Sequence, residues 1–286
     1  GGATTTFNGK VFGSTMTLNV GTGTVNLNGD VAGNIVFTDA GTVILGLGNV
    51  NQGVTVDGTI TTDANGQGTL TLLGIGTVNG NVGNGTALDL AVVNAGATDT
   101  LATFGGSVFA ETLNVTGDGT VALNGDFTGD AVFLGDGEII LANLADITGA
   151  ITNSADGTGT LTILGTSLIT GDVGAGGSEL KVVNAGVTGS TVTFGGDVFA
   201  QTFNVTGTGN IVFAGDLSGG LHFETDRIVT LADLADIDGA VTTFADAMGT
   251  LTFLGSSVVG GDIGEYTKGL KTINVNGDGT DTVTLS

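Results

Sequence analysis

The chain has no proline, no cysteine and no tryptophan, and among its 286 residues only one tyrosine, one histidine and five basic side chains. Each scarcity excludes something. Proline cannot donate to a backbone ladder and is barred from central strands; average usage is roughly 5%, so its absence suits a chain that is ladder almost throughout. Without cysteine there is no disulfide stapling, and stability must come from the ladder and the core. A secreted location stays open. There is no run of 18 apolar residues, so the sequence holds no transmembrane helix. The chain opens at Gly1 with no signal peptide, which reads as a processed or excised piece of something longer.

What is abundant is glycine and negative charge. There are 55 glycines and 28 acids, giving a formal net charge of −23. Glycine at this density without a three-residue period is also a signature of disorder, but 40% of the residues are hydrophobic and Val, Ile, Leu and Phe are evenly spread. Such a chain can bury a core. The acidic surface repels nucleic acid and anionic membranes and favours cationic partners or divalent ions.

The chain repeats itself. Gly68 to Gly74 (GTLTLLG), Gly159 to Gly165 (GTLTILG) and Gly249 to Gly255 (GTLTFLG) step by 91 and 90 residues (159 − 68 and 249 − 159). Each copy reads as a short strand with Thr outward and aliphatics inward, closed by a glycine at each end. Phe7, Phe104 and Phe194 step by 97 and 90, and the excess in the first copy is placed partly around Asn49 to Val56. A finer beat runs through Asp172, Asp197, Asp216, Asp238 and Asp262, stepping by 25, 19, 22 and 24. Four subunits of about 22 residues per 90-residue unit match one turn each of a parallel β-helix. Glycine with Asn or Asp between the strands is read as supplying left-handed backbone angles at the corners.

The expectation is therefore an all-β parallel β-helix (β-solenoid) in one domain, 1–286. Its repeat units are approximately 7–103, 104–193 and 194–285, each of four turns, and it is right-handed because parallel crossovers take that hand. Leu231 to Asp236 and its copy Leu141 to Asp146 are too short for an isolated helix and read as strand plus corner. A membrane β-barrel would show strands of about ten residues between aromatic girdles. One Tyr, no Trp and strands of four to six residues argue against it.

Several phrases resemble the repeats of rickettsial outer-membrane surface antigens and related β-strand-repeat autotransporter passengers. They are Val115 to Val121, Asn124 to Gly129, Gly159 to Gly165, Thr170 to Gly174 and Thr191 to Phe199. The resemblance covers nearly the whole chain. It implies a right-handed parallel β-helix displayed extracellularly on a Gram-negative surface, acting in adhesion or as a surface layer. The chain is poorer in Lys than those repeats.

No constellation for catalysis is evident, so no catalytic, cofactor-binding or metal-ligating residue is assigned. The single histidine, His222, stands alone on a strand. Lys10, Lys181, Arg227, Lys268 and Lys271 are scattered, and Glu111 and Asp118 sit in different corners. The rival class is a β-helix polysaccharide-acting enzyme, which needs converging acids and bases in a groove. Asn276 to Asp281 resembles the start of a calcium loop but lacks the closing Glu, leaving Ca²⁺ as the one cofactor to test. Thr-x-Thr runs at Thr15, Thr69, Thr160, Thr191, Thr250 and Thr282 raise ice binding, which requires such runs on successive turns. Asn94, Asn184 and Asn274 share one phase and Asn19, Asn114 and Asn204 another; corner capping is the expected use. The expected role is an extracellular stalk, surface layer, filament or adhesin, with no nucleic-acid partner and no membrane insertion of this segment. Thr4 to Phe7 and Thr282 to Leu285 share a phase, so end-to-end self-association or continuation in a longer chain is expected. About 13 turns at roughly 4.8 Å would span about 60 Å.

Overall fold

A computed structural model describes residues 2–47, 53–186, 189 and 191–286, with the side chains of Ser14 and Thr15 also outside the description. The described residues form short strands and no helix. The chain divides into two compact units, Gly1–Ile140 and Leu141–Ser286. Each is a parallel β-solenoid, in which strands pair with the strand one turn later, most of them in two long sheets, with a short pair, Ser257–Val259 and Val283–Leu285, apart in the second unit.

In the first unit one sheet runs Thr4–Phe7, Thr24–Leu27, Thr42–Leu45, Gln67–Leu72, Leu90–Ala95, Val108–Val115. The other runs Val11–Val20, Val31–Phe37, Val54–Asp57, Gly76–Val78, Leu101–Phe104, Thr120–Leu123. The step from Thr42 to its partner Thr69 is 27 residues, against 22 from Ile228 to Thr250 at the equivalent place. Five of the extra residues of the first copy thus lie in this turn. Asn49 to Gln52, to which the sequence assigns part of that excess, lie outside the described residues.

In the second unit one column of partners is Leu161, Val183, Phe203, Leu221, Val241 and Ile263, with steps of 22, 20, 18, 20 and 22. A second column holds Ile211, Val229, Leu251 and Ile273. Leu251 is the copy of Leu161, yet it stands in the other column. A third column holds Ile151, Val173, Val198, Leu217, Ile237 and Val259, so each turn carries three columns, and a 90-residue unit spans four turns and one further column, about four and a third turns rather than four. The reason is local: each column needs only a short strand segment and a bend or corner, so the sequence can repeat after whole turns plus one column.

Alternation builds the core. In Thr120–Leu123 and Gln67–Leu72 every second side chain is buried, as the two-residue period of a strand dictates. Leu70, Leu161 and Leu251 are fully buried, with the Thr residues Thr69 and Thr160 outward. Phe194, Phe203 and Phe213 pack in the core of the second unit, with ring centroids 5.0–5.4 Å apart. Such contacts add about 0.5–1.5 kcal/mol per pair beyond area burial.

In the first two copies the opening glycine of the GTLT strand does not close it, since those strands begin one residue earlier, at Gln67 and Thr158; in the third the strand begins at Thr250, after Gly249. Gly68 and Gly249 sit at φ of +82° and +84°. A Cβ at Gly68 would lie 2.4 Å from Phe37 Cγ, and one at Gly249 2.6 Å from Phe223 Cγ. A ring from the preceding turn thus lies against each glycine, and no other residue fits. Leu231 to Asp236 is strand plus corner, as expected, with Leu234 at φ +67° and its copy Leu144 at +66°.

Candidate functional site

The side chains that recur at every corner are Asp and Asn, and their geometry differs from the sequence expectation. Among the acidic and amide residues only Asp99 adopts a positive φ in the described chain. Many of the others act as acceptors across turns. Asp172 Oδ1 accepts the Asp197 N–H at 2.9 Å, Asp197 Oδ1 accepts the Asp216 N–H at 2.9 Å, and Asp216 Oδ1 accepts the Asp236 N–H at 2.9 Å. Asp236 Oδ1 then accepts the Val258 N–H at 2.7 Å. The column passes through Asp236, not Asp238, and Asp262 aligns with Ala240 instead of continuing it. The five-Asp beat therefore mixes positions from different columns, because glycine-flanked Asp occurs in more than one.

Amide and carboxylate are interchangeable in this job. Asn81 Oδ1 accepts the Ser107 N–H at 3.0 Å where its copy Asp172 accepts that of Asp197. Asn143 and Asp233 accept the Thr166 and Ser256 N–H groups at 2.9 Å. Each such bond satisfies a backbone donor that the loose corner leaves unpaired. The acceptor also explains the adjoining glycines. A Cβ at Gly196 would be 2.4 Å from Asp172 Oδ1, and one at Gly215 2.5 Å from Asp197 Oδ1. Glycine is required here for close approach between turns, not for a left-handed angle. The legible signal was the exchange of Asn for Asp at equal phase, since only the shared Oδ1 survives it.

The strand-phase asparagines are likewise not corner caps. Asn114 Nδ2 donates to Asn94 Oδ1 at 2.9 Å, and Asn94 Nδ2 donates to Thr71 Oγ1 at 3.2 Å. Asn204 and Asn184 repeat the pair at 2.9 Å, with Asn184 donating to Thr162 Oγ1 at 3.4 Å. The two phases are successive turns, so short Thr–Asn–Asn ladders run on the outer faces of the strands.

The remaining candidates do not converge. His222 Nδ1 lies 2.8 Å from Thr242 Oγ1 and pairs in register with Asn204, neither of them an acid that would orient the ring as a base. Asp118 Oδ1 accepts the Asp99 N–H at 3.1 Å, and a Cβ at Gly66 would meet Glu111 Oε1, so the two acids serve different corners. Lys10 and Lys271 form exposed ion pairs with Asp30 at 2.7 Å and Asp226 at 2.5 Å. The hydrogen bond from Lys10 holds the Asp30 carboxyl below its ordinary range, and that from Lys271 does the same for Asp226. The outward Thr69 and Thr71 are followed one turn later by Val92 and Asn94, so no Thr-x-Thr array forms across successive turns there. Thr15 lies outside the described side chains.

In the candidate calcium loop the acids are used internally. Asp278 Oδ1 accepts from the Thr280 hydroxyl and N–H at 2.6 and 2.9 Å, and Asp281 Oδ2 accepts the Asp278 N–H at 2.7 Å. The Thr280 hydroxyl lowers the Asp278 pKa below its ordinary value. Among the described residues there is no group of three or more His, Cys, Asp or Glu placed to hold a metal ion. A cavity of about 290 Å³ lies in the first unit, lined by Phe12, Asp30, Val31, Ala32, Thr55 and Asp57.

No protein-family model matches the chain, and no solved structure matches it. A curated protein does: Outer membrane protein A of Rickettsia rickettsii is 34% identical in an alignment 279 residues long that covers 94% of this chain. The chain spans about a tenth of that protein's length. By sequence along nearly its whole length, and by the repeated phrases that carry the likeness, the chain is related to the rickettsial outer-membrane surface antigens.

Proposed function

We propose that this chain is a structural segment of an extracellular repeat protein at a bacterial cell surface, serving as stalk, surface layer or filament. The observation that carries the reading is its relation, over 94% of its length, to a protein named for the outer membrane. The corner chemistry supports it: within each unit, turns are fastened to one another by backbone ladders and by Asp or Asn acceptors. The mechanism is geometric, since repeated turns hold attached material at a distance. A finer form of the proposal is an autotransporter-type passenger with an adhesive role, its ligand being a cationic or neutral surface rather than an anionic one, given the charge of −23. Antibodies raised against the purified chain should label intact, unpermeabilised cells of the source organism. Labelling that appears only after permeabilisation would remove the surface reading.

A further inference from the structure

One corner is built on the same backbone in the first two copies but is closed by different chemistry. In the second copy the buried side chain of Asn153 fills it. Asn153 Nδ2 donates to the carbonyl oxygens of Ala155, Thr158 and Glu179 at 2.6, 3.2 and 2.9 Å. Thr158 Oγ1 donates to Ala155 O at 2.6 Å. The amide of Gln201, two turns on, lies against Gly157.

The first copy keeps that backbone. Gly66 N donates to Asp89 O at 2.9 Å, as Gly157 N does to Glu179 O. Leu90 pairs with Gln67 and Ala110, as Leu180 pairs with Thr158 and Ala200. The side chains change. Thr62 stands for Asn153 and is also buried, but its hydroxyl donates to Ala64 O alone, at 2.8 Å. A donor that serves three carbonyls is thus replaced by one that serves a single carbonyl. Gln67 stands for Thr158, Asp89 for Glu179 and Glu111 for Gln201, so the corner gains a carboxylate. Gln67 Oε1 and Asp89 Oδ1 are buried with no hydrogen-bond partner among the described residues. The Glu111 carboxylate lies over Gly66, its Oε1 2.6 Å from an ideal Cβ there. Buried polar atoms in folded proteins almost always have a partner. Two unpartnered acceptors beside a further carboxylate call for positive charge. The third copy has Met248 and Gly269 in place of Gln67 and Asp89, so neither side-chain oxygen recurs there.

We propose that this first-copy corner binds a calcium ion. Its ligands are the Asp89 and Glu111 carboxylates, the Gln67 amide oxygen and the backbone carbonyls equivalent to those that Asn153 Nδ2 contacts. The ion takes over the work of that amide nitrogen, which is to present positive charge to converging carbonyls. All the ligands are oxygens, from two carboxylates, an amide and the main chain, which is the donor set of Ca²⁺. Mg²⁺ demands near-ideal octahedral geometry and sheds its waters reluctantly, which an irregular corner suits less well. Gln67, Asp89 and Glu111 stand on three successive turns of the first unit, so the ion fastens turns together where the Asp acceptors do so elsewhere. The site is separate from the Asn276 to Asp281 loop, and it goes beyond the stalk or surface-layer reading without depending on it.

Equilibrium dialysis of the chelator-stripped chain against Ca²⁺, at physiological ionic strength with excess Mg²⁺, tests the site. One Ca²⁺ per chain should bind with a Kd of about 10⁻⁴ M, the range of extracellular calcium modules. Glu111→Gln and Gln67→Met, which import the residues of the other copies, should each weaken binding about tenfold, since affinity follows ligand charge and number. Thr62→Asn carries the second copy's own amide into the corner and should abolish binding with the circular dichroism unchanged. Asp118→Asn removes one charge at another corner and should leave the affinity as it was. Glu111 is exposed, so its variant reports on binding even if Thr62→Asn disturbs the core. Binding that survives Thr62→Asn in a folded protein would overturn the site. So would an equal loss in Asp118→Asn and Glu111→Gln, or no Ca²⁺ bound in the presence of Mg²⁺. Cell-surface labelling does not depend on the ion, so the two readings fail separately.

Discussion

Replacing Asp197 by Asn should leave stability nearly unchanged, while replacing it by Ala should destabilise the second unit. Asp197 Oδ1 accepts the Asp216 N–H at 2.9 Å, and its own N–H is held by Asp172 Oδ1 at 2.9 Å. Its carboxylate therefore has like charges one turn above and below, about 4.8 Å away. In water each repulsion is about 0.9 kcal/mol, and screening at physiological salt removes roughly half. Losing the charge thus returns about 0.9 kcal/mol from the two neighbours together, by the same Coulomb estimate. An amide keeps the hydrogen bond and gives up about 0.5 kcal/mol of its charge assistance, whereas Ala gives up about 1.5 kcal/mol. Asn should therefore fall within ~0.5 kcal/mol of the parent protein, and the Asn-to-Ala gap should be about 1 kcal/mol. Urea unfolding of the three proteins at low and physiological salt measures both quantities. If Asn and Ala destabilise equally, the cross-turn acceptor is not what the corner Asp supplies. If low salt does not favour the Asn form further, the stacked-charge term is wrong.

Phe203→Ala should cost about 3–5 kcal/mol, because Phe203 is fully buried and touches both Phe194 and Phe213; an effect below 1 kcal/mol in denaturant unfolding would contradict the packed core. Gly249→Ala should cost about 2 kcal/mol or more, since its φ is +84° and a Cβ would meet the Phe223 ring at 2.6 Å, and a neutral result in the same assay would refute that contact. The depressed carboxyls Asp30 and Asp226 stabilise the fold above their ordinary value of 3.8 and lose that contribution as pH falls through their lower folded values. Asp226→Asn should accordingly flatten the fall in stability below pH 3.8 relative to the parent, and an unchanged slope would argue that the Lys271 contact is not populated. Added salt should raise the melting temperature of a chain with net charge −23, and a further rise with millimolar Ca²⁺ at matched ionic strength would reveal a calcium site.

The sequence by itself determined the fold class, because two-residue alternation between Gly-rich corners is the strand period and the 90-residue echo forces a stack of similar turns. It also made visible the GTLT strands with their buried Leu, and the strand-plus-corner reading of Leu231 to Asp236. Tertiary structure decided the turn length, since a sequence period cannot distinguish whole turns from whole turns plus one column; only the pairing of Leu251 with Val229 and Ile273, away from the column of Leu161, shows the difference. It decided the work of the corner residues too. Asp197 and Asn81 look like backbone-angle choices until the next turn is laid over them, when their Oδ1 atoms meet N–H groups 19 and 26 residues away. The same holds for Asn94 and Asn114, whose 20-residue separation hides a 2.9 Å hydrogen bond. Alternation is a local property of the chain, whereas an acceptor's partner lies one turn on and exists only once the turns have stacked.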